Sequence, residues 1–145
     1  MREDRDESGR GELRRQLGAV PPGTAARHER GRRAEELVAQ ALAGRGYEIV
    51  GRNIRVGSLE IDILARIGAV LAVVEVRTRG RGSWTSATAS VTATKQRRVR
   101  DAASVLWASR FSKDPTLERV RFDVASVNLD ATGEPEISYL EAAYV

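Results

Sequence analysis

The stretch from Tyr47 to Thr78 leaves this chain few folds to choose from. It holds three strand-like runs in succession: YEIVGRNIR (47–55), LEIDILAR (59–66) and AVLAVVEVRT (69–78). Only Val56-Gly57-Ser58 and Ile67-Gly68 separate them. Links that short join antiparallel neighbours, so the three runs form a meander. The second run alternates, with Leu59, Ile61, Ile63 and Ala65 expected on one face. The third is nearly all apolar, as a central strand covered on both sides should be.

Helical periodicity flanks the meander. Ala34, Leu37, Val38, Ala41 and Leu42 recur at i, i+3, i+4, i+7 and i+8, which predicts a helix from about Thr24 to Ala43, stopped by Gly44 and Gly46. A second helix, from Thr92 or Thr94 to about Arg110, would bury Val99, Ala102, Ala103, Leu106 and Trp107. Beyond Pro115, RVRFDVASVNL (119–129) reads as a fourth strand and Glu136 to Tyr144 as a short last one. A helix between the third and fourth strands permits a parallel crossover. The expected class is therefore α/β, a mixed four- to five-stranded sheet with flanking helices, in one domain over 24–145. Residues 1–23 end in Pro21-Pro22-Gly23 and hold few apolar side chains, so they are expected to form a disordered tail.

Composition narrows the chemistry. The 145 residues include no cysteine, which excludes disulfides, thiolate metal sites and a cysteine nucleophile. Any metal would need oxygen ligands or the single histidine. That residue, His28, lies among Arg27, Glu29 and Arg30 and reads as a solvated side chain at the helix entry. The longest apolar run, Ala69 to Val74, falls far short of the ~20 residues of a membrane helix. MREDRDESGR at the start lacks the apolar core of a secretion signal, so a cytoplasmic location is expected. No stretch fits the phosphate-cradling GxxxxGK[ST] pattern, and nucleotide hydrolysis is not expected.

The net charge of +4 matters less than its distribution. Between Val76 and Arg100 lie seven basic residues and no acid, whereas Asp114 to Glu141 carries seven acids against Arg119 and Arg121. Such one-sided clustering suits a polyanion, because Lys and Arg contacts to phosphates release counterions. Arg79, Arg81, Lys95, Arg97 and Arg98 are the expected nucleic-acid contacts, with Trp84 placed to stack on a base or to fold back on its own loop. The alternatives are a solvated surface, or one that meets an acidic protein.

The acids of the meander carry the chemistry. Glu75 and Arg77 share one face of a strand, as do Glu60 and Asp62. A two-residue turn at Ile67-Gly68 would pair Arg66 with Ala69, set Glu60 opposite Glu75, and leave Asp62 diagonal to Glu75 at ~8 Å. An ionised acid inside AVVEV (72–76) is costly to bury alone. A divalent cation held by carboxylates would offset that cost, and so would an ion pair with Arg77 or another arginine. Spacing leaves both open. Glu35 sits at the margin of the helix's apolar arc, within reach of a cleft between helix and sheet, while Glu36 points to solvent.

Taken in order, GRRAEELVAQAL, GYEIVGRN, LEIDILA, VVEVRTR, TKQRR and RFDVASV resemble the YraN-like family of small bacterial proteins. That family belongs to the PD-(D/E)xK nuclease superfamily, with its restriction-endonuclease-like fold. The resemblance spans about Gly31 to Val127. It implies a metal-dependent endonuclease that hydrolyses phosphodiester bonds of DNA, branched or damaged DNA included, and it allows a homodimer. By the resemblance, Glu35 is the helix acid, Asp62 and Glu75 are the strand acids, and Lys95 is a basic residue at the start of the second helix. Mg²⁺ or Mn²⁺ would then be held by Asp62, Glu75, the Val76 carbonyl and Glu35. Two positions depart from the family pattern: Ala34 stands where glycine is usual, and Arg77 replaces the motif lysine. Lysine loses its proton when desolvated and arginine effectively does not, so Arg77 would act by electrostatics and Lys95 would supply the ammonium. The alternative is a catalytically weak or inactive nucleic-acid binding module of the same fold. Asp123, in the Arg-Phe-Asp motif, is expected to play a structural, hydrogen-bonding part.

Overall fold

The computed structural model describes residues 23–79, 91–130 and 133–145. Helix α1 (Thr24–Gly44) leads into strands β1 (Glu48–Val56), β2 (Leu59–Ile67) and β3 (Val70–Arg79). Helix α2 (Ala93–Leu106) follows, then β4 (Arg119–Asn128) and β5 (Glu136–Tyr144). The five strands lie in sequence order in one sheet. Pairing is antiparallel from β1 to β3, parallel between β3 and β4, and antiparallel again at β5. The architecture is thus α/β with a mixed five-stranded sheet and two helices, consistent with a restriction-endonuclease-like fold. The expected tail before Gly23, and the loop holding Arg81 and Trp84, lie outside the described residues. No helix among the described residues is long and apolar enough to cross a membrane.

Each helix covers one face of the sheet. Ala34, Val38, Ala39 and Leu42 of α1 pack on Ile63, Ala65, Ala72, Val74, Ala125 and Val127. Full burial of Val38 and Leu42 contributes about 1.5–3 kcal/mol each. On the other face, Val99, Ala102, Ala103 and Leu106 of α2 pack on Leu59, Ile61, Leu64, Leu71 and Val73. Thr92 caps α2, its hydroxyl accepting the Lys95 N–H at 3.2 Å. Beyond Leu106 the helix widens into a π-helical turn, Trp107–Phe111, and both of its aromatic rings rest against the second cluster. Trp107 is accordingly half-buried rather than a full core residue.

The meander departs from expectation in two ways. The tight turn is Gly68-Ala69, not Ile67-Gly68, because Gly68 takes the left-handed φ of 55° and Ile67 stays in the strand, paired with Val70. This shifts the register by two residues: Ile63 faces Val74, and Asp62, not Glu60, aligns with Glu75. The alternation of β2 also inverts at Asp62. Ile63 and Ala65 face α1, whereas Leu59 and Ile61 face α2. Opposite Asp62 in β1 stands Asn53, in a left-handed conformation with φ 50°. A left-handed residue rotates the strand about its axis, and both strands change sides there.

Asp123 is fully buried on the α1 side of β4. Arg121 Nε donates to its Oδ1 at 2.9 Å and Arg121 Nη2 to its Oδ2 at 2.8 Å. The Tyr139 hydroxyl donates to Oδ2 at 2.5 Å, and the Ala142 N–H to Oδ1 at 2.9 Å. The last bond holds the bulge of β5, where Ala142 adopts φ 48°. Arg121 Nη2 also donates to the Tyr47 hydroxyl at 2.8 Å, tying the α1–β1 junction to the same carboxylate. The expected structural part of Asp123 is what the packing displays.

Candidate active site

The β2–β3 ladder ends at Ile63 and Val74. At the next rung, the Asp62 carboxylate accepts the Val76 N–H through Oδ2 at 2.9 Å. Asp62 therefore lies at the seam where the two strands part, beside Glu75. Burial and then the Glu75 charge push its carboxyl up to about 6, against the opposing pull of the Val76 N–H and Lys95. Among the described residues Asp62 has no ion-pair partner, so its cost is not offset by an arginine.

Glu75 is nearly buried, its side chain 11% exposed, and it has two cations beside it. Arg77 Nε stands 3.5 Å from Oε1, and Lys95 Nζ, arriving from the first turn of α2, stands 3.7 Å from the same atom. Among the described residues Arg77 Nε has no hydrogen-bond partner although it is buried. The ion-pair alternative thus holds for Glu75 and not for Asp62.

On the α1 side, Glu35 is half-buried and Glu36 exposed, as the helical geometry predicts. Glu36 pairs with Arg52 at 2.5 Å and faces away from the seam. Burial and then the Asp62 charge raise the Glu35 carboxyl above the usual range, while the Asn53 amide lowers it. Asn53 lies between Glu35 and Glu60: its amide nitrogen, turned to these acceptors, is 3.0 Å from Glu35 Oε2 and 3.0 Å from Glu60 Oε1. Among the described residues no three acids or histidines gather closely enough to form a metal cage. Glu35 therefore flanks the Asp62–Glu75 pair and does not complete a three-carboxylate cluster with it.

Of the expected nucleic-acid contacts, Lys95 is half-buried and points at Glu75. Arg97 is exposed on α2, and Arg98 donates to the Ser58 hydroxyl at 3.1 Å. Arg79 is half-buried at the end of β3. Arg81 and Trp84 fall outside the described residues. Sequence reasoning missed Asn53 as part of this constellation. The available signal was a residue poorly suited to a strand but tolerant of left-handed φ, one strand away from the acids.

Residues 34–127 match the model of "Uncharacterised protein family UPF0102". A UPF0102 protein of Sorangium cellulosum is 49% identical over 126 residues, covering 87% of this chain and 88% of the relative. The chain belongs to the UPF0102 family. The UPF0102 protein of Nocardia farcinica is 42% identical, over 79% of this chain and 87% of its own. That of Symbiobacterium thermophilum is 37% identical, over 79% of this chain and 94% of its own. The UPF0102 match begins at Ala34, a fully buried residue of α1, and closes at Val127 in β4, so it takes in Glu35, Asp62, Glu75 and Lys95.

Proposed function

We propose that this protein is a divalent-metal-dependent endonuclease acting on DNA, with Asp62 and Glu75 as its metal-holding carboxylates. One observation carries the reading: two acids abreast on adjacent strands, one of them with no ion-pair partner among the described residues. Two hard oxygen donors on a seam fit Mg²⁺ or Mn²⁺, which commonly take one or two carboxylates and fill the remaining positions with water and phosphate. The Val76 carbonyl lies next in the chain, and Glu35 acts from the helix side. Bound there, the ion would supply Lewis-acid stabilisation of a phosphate and a water of lowered pKa.

The chain's own groups prepare that chemistry. The Val76 N–H fixes one Asp62 oxygen, which orients the other. Arg77 keeps its charge at any working pH and stabilises negative charge developing on phosphate. Lys95, 3.7 Å from Glu75, can exchange that contact for a phosphate oxygen when DNA arrives. Arg97 and Arg98 extend the positive surface along α2.

The test is cleavage of a four-way junction, a single strand and a linear duplex with Mn²⁺. Wild type should cut at least one of them, and Asp62→Ala and Glu75→Ala should each be slower by about 10²–10³-fold. Equal activity in the variants would overturn the reading. Arg77 in place of lysine favours a second reading, a binding module of the same fold; salt-sensitive binding without cleavage would select it. In either case Arg97→Ala should weaken binding to every DNA sequence alike and reduce the salt slope by about one, measured by fluorescence anisotropy.

A further inference from the structure

Asn53 combines two features that seldom meet in a strand interior. Its backbone is left-handed, φ 50°, and its side chain is shared between two carboxylates. Asn tolerates that φ better than most residues with a Cβ. The amide also solves an electrostatic problem. The charges of Asp62 and Glu60 both raise the Glu35 carboxyl, and that of Glu60 raises Asp62, so like charges crowd this spot. A lysine or arginine at position 53 would hold them together but cancel the charge a cation needs. An NH₂ group offers one hydrogen to each of two carboxylates and leaves their charge in place. The same residue stands opposite Asp62, where the faces of β1 and β2 exchange.

We infer that Asn53 is a positioning residue of the active site, clamping Glu35 and Glu60 beside Asp62 and setting the rotation that brings Asp62 to the seam. This rests on the proposed metal-dependent activity. Outer partners of metal ligands are worth about 10–100-fold in metal affinity or activity. Asn53→Gly keeps the left-handed backbone and removes the clamp; Asn53→Asp keeps the shape but turns a donor into a fourth acid.

The experiment is Mn²⁺ titration calorimetry on the full chain, run beside DNA cleavage and thermal melting. Asn53→Gly should bind Mn²⁺ about tenfold or more weakly and lose kcat with KM little changed, while still melting cooperatively. Asn53→Asp should not restore kcat. Wild-type affinity and kcat in Asn53→Gly would overturn this inference and leave the proposed activity standing. Wild type that neither binds Mn²⁺ nor cuts DNA would overturn the proposed activity and this inference with it.

Discussion

Asp123→Ala should lower the folding stability by about 3–5 kcal/mol, the cost of removing one partner from a buried charge pair. For a domain of this size that corresponds to a fall in Tm of roughly 10–20 °C. The reason is the number of donors left behind. Arg121 would keep its charge between β4 and β5 with Nε unpaired and only Tyr47 and the exposed Glu141 beside its other nitrogens, and the Tyr139 hydroxyl and the Ala142 N–H would lose their acceptor. Arginine keeps its proton at any working pH, so proton loss offers no escape. Tyr139→Phe removes a single bond and should cost only about 1–2 kcal/mol. Chemical denaturation of the two variants checks the ranking. Equal losses would mean that the tyrosine, not the carboxylate, is the hub.

Asp62→Asn should do the reverse to stability and slow cleavage sharply. The ordinary Asp value is 3.8, and the folded chain holds Asp62 at about 6. A raised carboxyl binds its proton more tightly folded than unfolded, so stability falls as pH rises between those two values. Below the lower one the cost is absent; above the upper one it is complete, on the order of 3 kcal/mol. The asparagine oxygen still accepts the Val76 N–H, so the variant loses the burial cost and keeps the bond. At about pH 8 it should melt above wild type, and at about pH 3 the advantage should be gone. Cleavage should drop by about 10²–10³-fold. A variant less stable than wild type at every pH would show that Asp62 serves the fold, not a function that the fold tolerates.

The elements were legible because their signals are local. The α1 stripe from Ala34 to Leu42, the short turns of the meander and the Thr92 cap each depend on neighbours in sequence. Even the division of labour between Glu35 and Glu36 follows from helical angle. Register was harder. Moving the turn by a single residue, from Ile67-Gly68 to Gly68-Ala69, changed which acid aligns with Glu75, and the left-handed Gly68 together with packing of Ile67 against the α1 cluster decides between the two. The inversion at Asp62 was out of reach, since strict alternation is what a strand pattern assumes. Asn53 joins residues 18 and 7 positions away in sequence (53 − 35 and 60 − 53), through a helix that sequence alone cannot dock. The Asp123 hub draws on Tyr47, Arg121, Tyr139 and Ala142, of which only Arg121 is a neighbour in its own strand.

On the proposed reading the seam between β2 and β3 holds a cation, and melting the full chain with and without Mn²⁺ at about pH 8 tests this most directly. Wild type should gain Tm as Mn²⁺ rises, because the ion removes the cost of an ionised Asp62, and neither Asp62→Asn nor Glu75→Gln should respond. A wild type indifferent to Mn²⁺, or variants that respond as fully as wild type, would contradict the account.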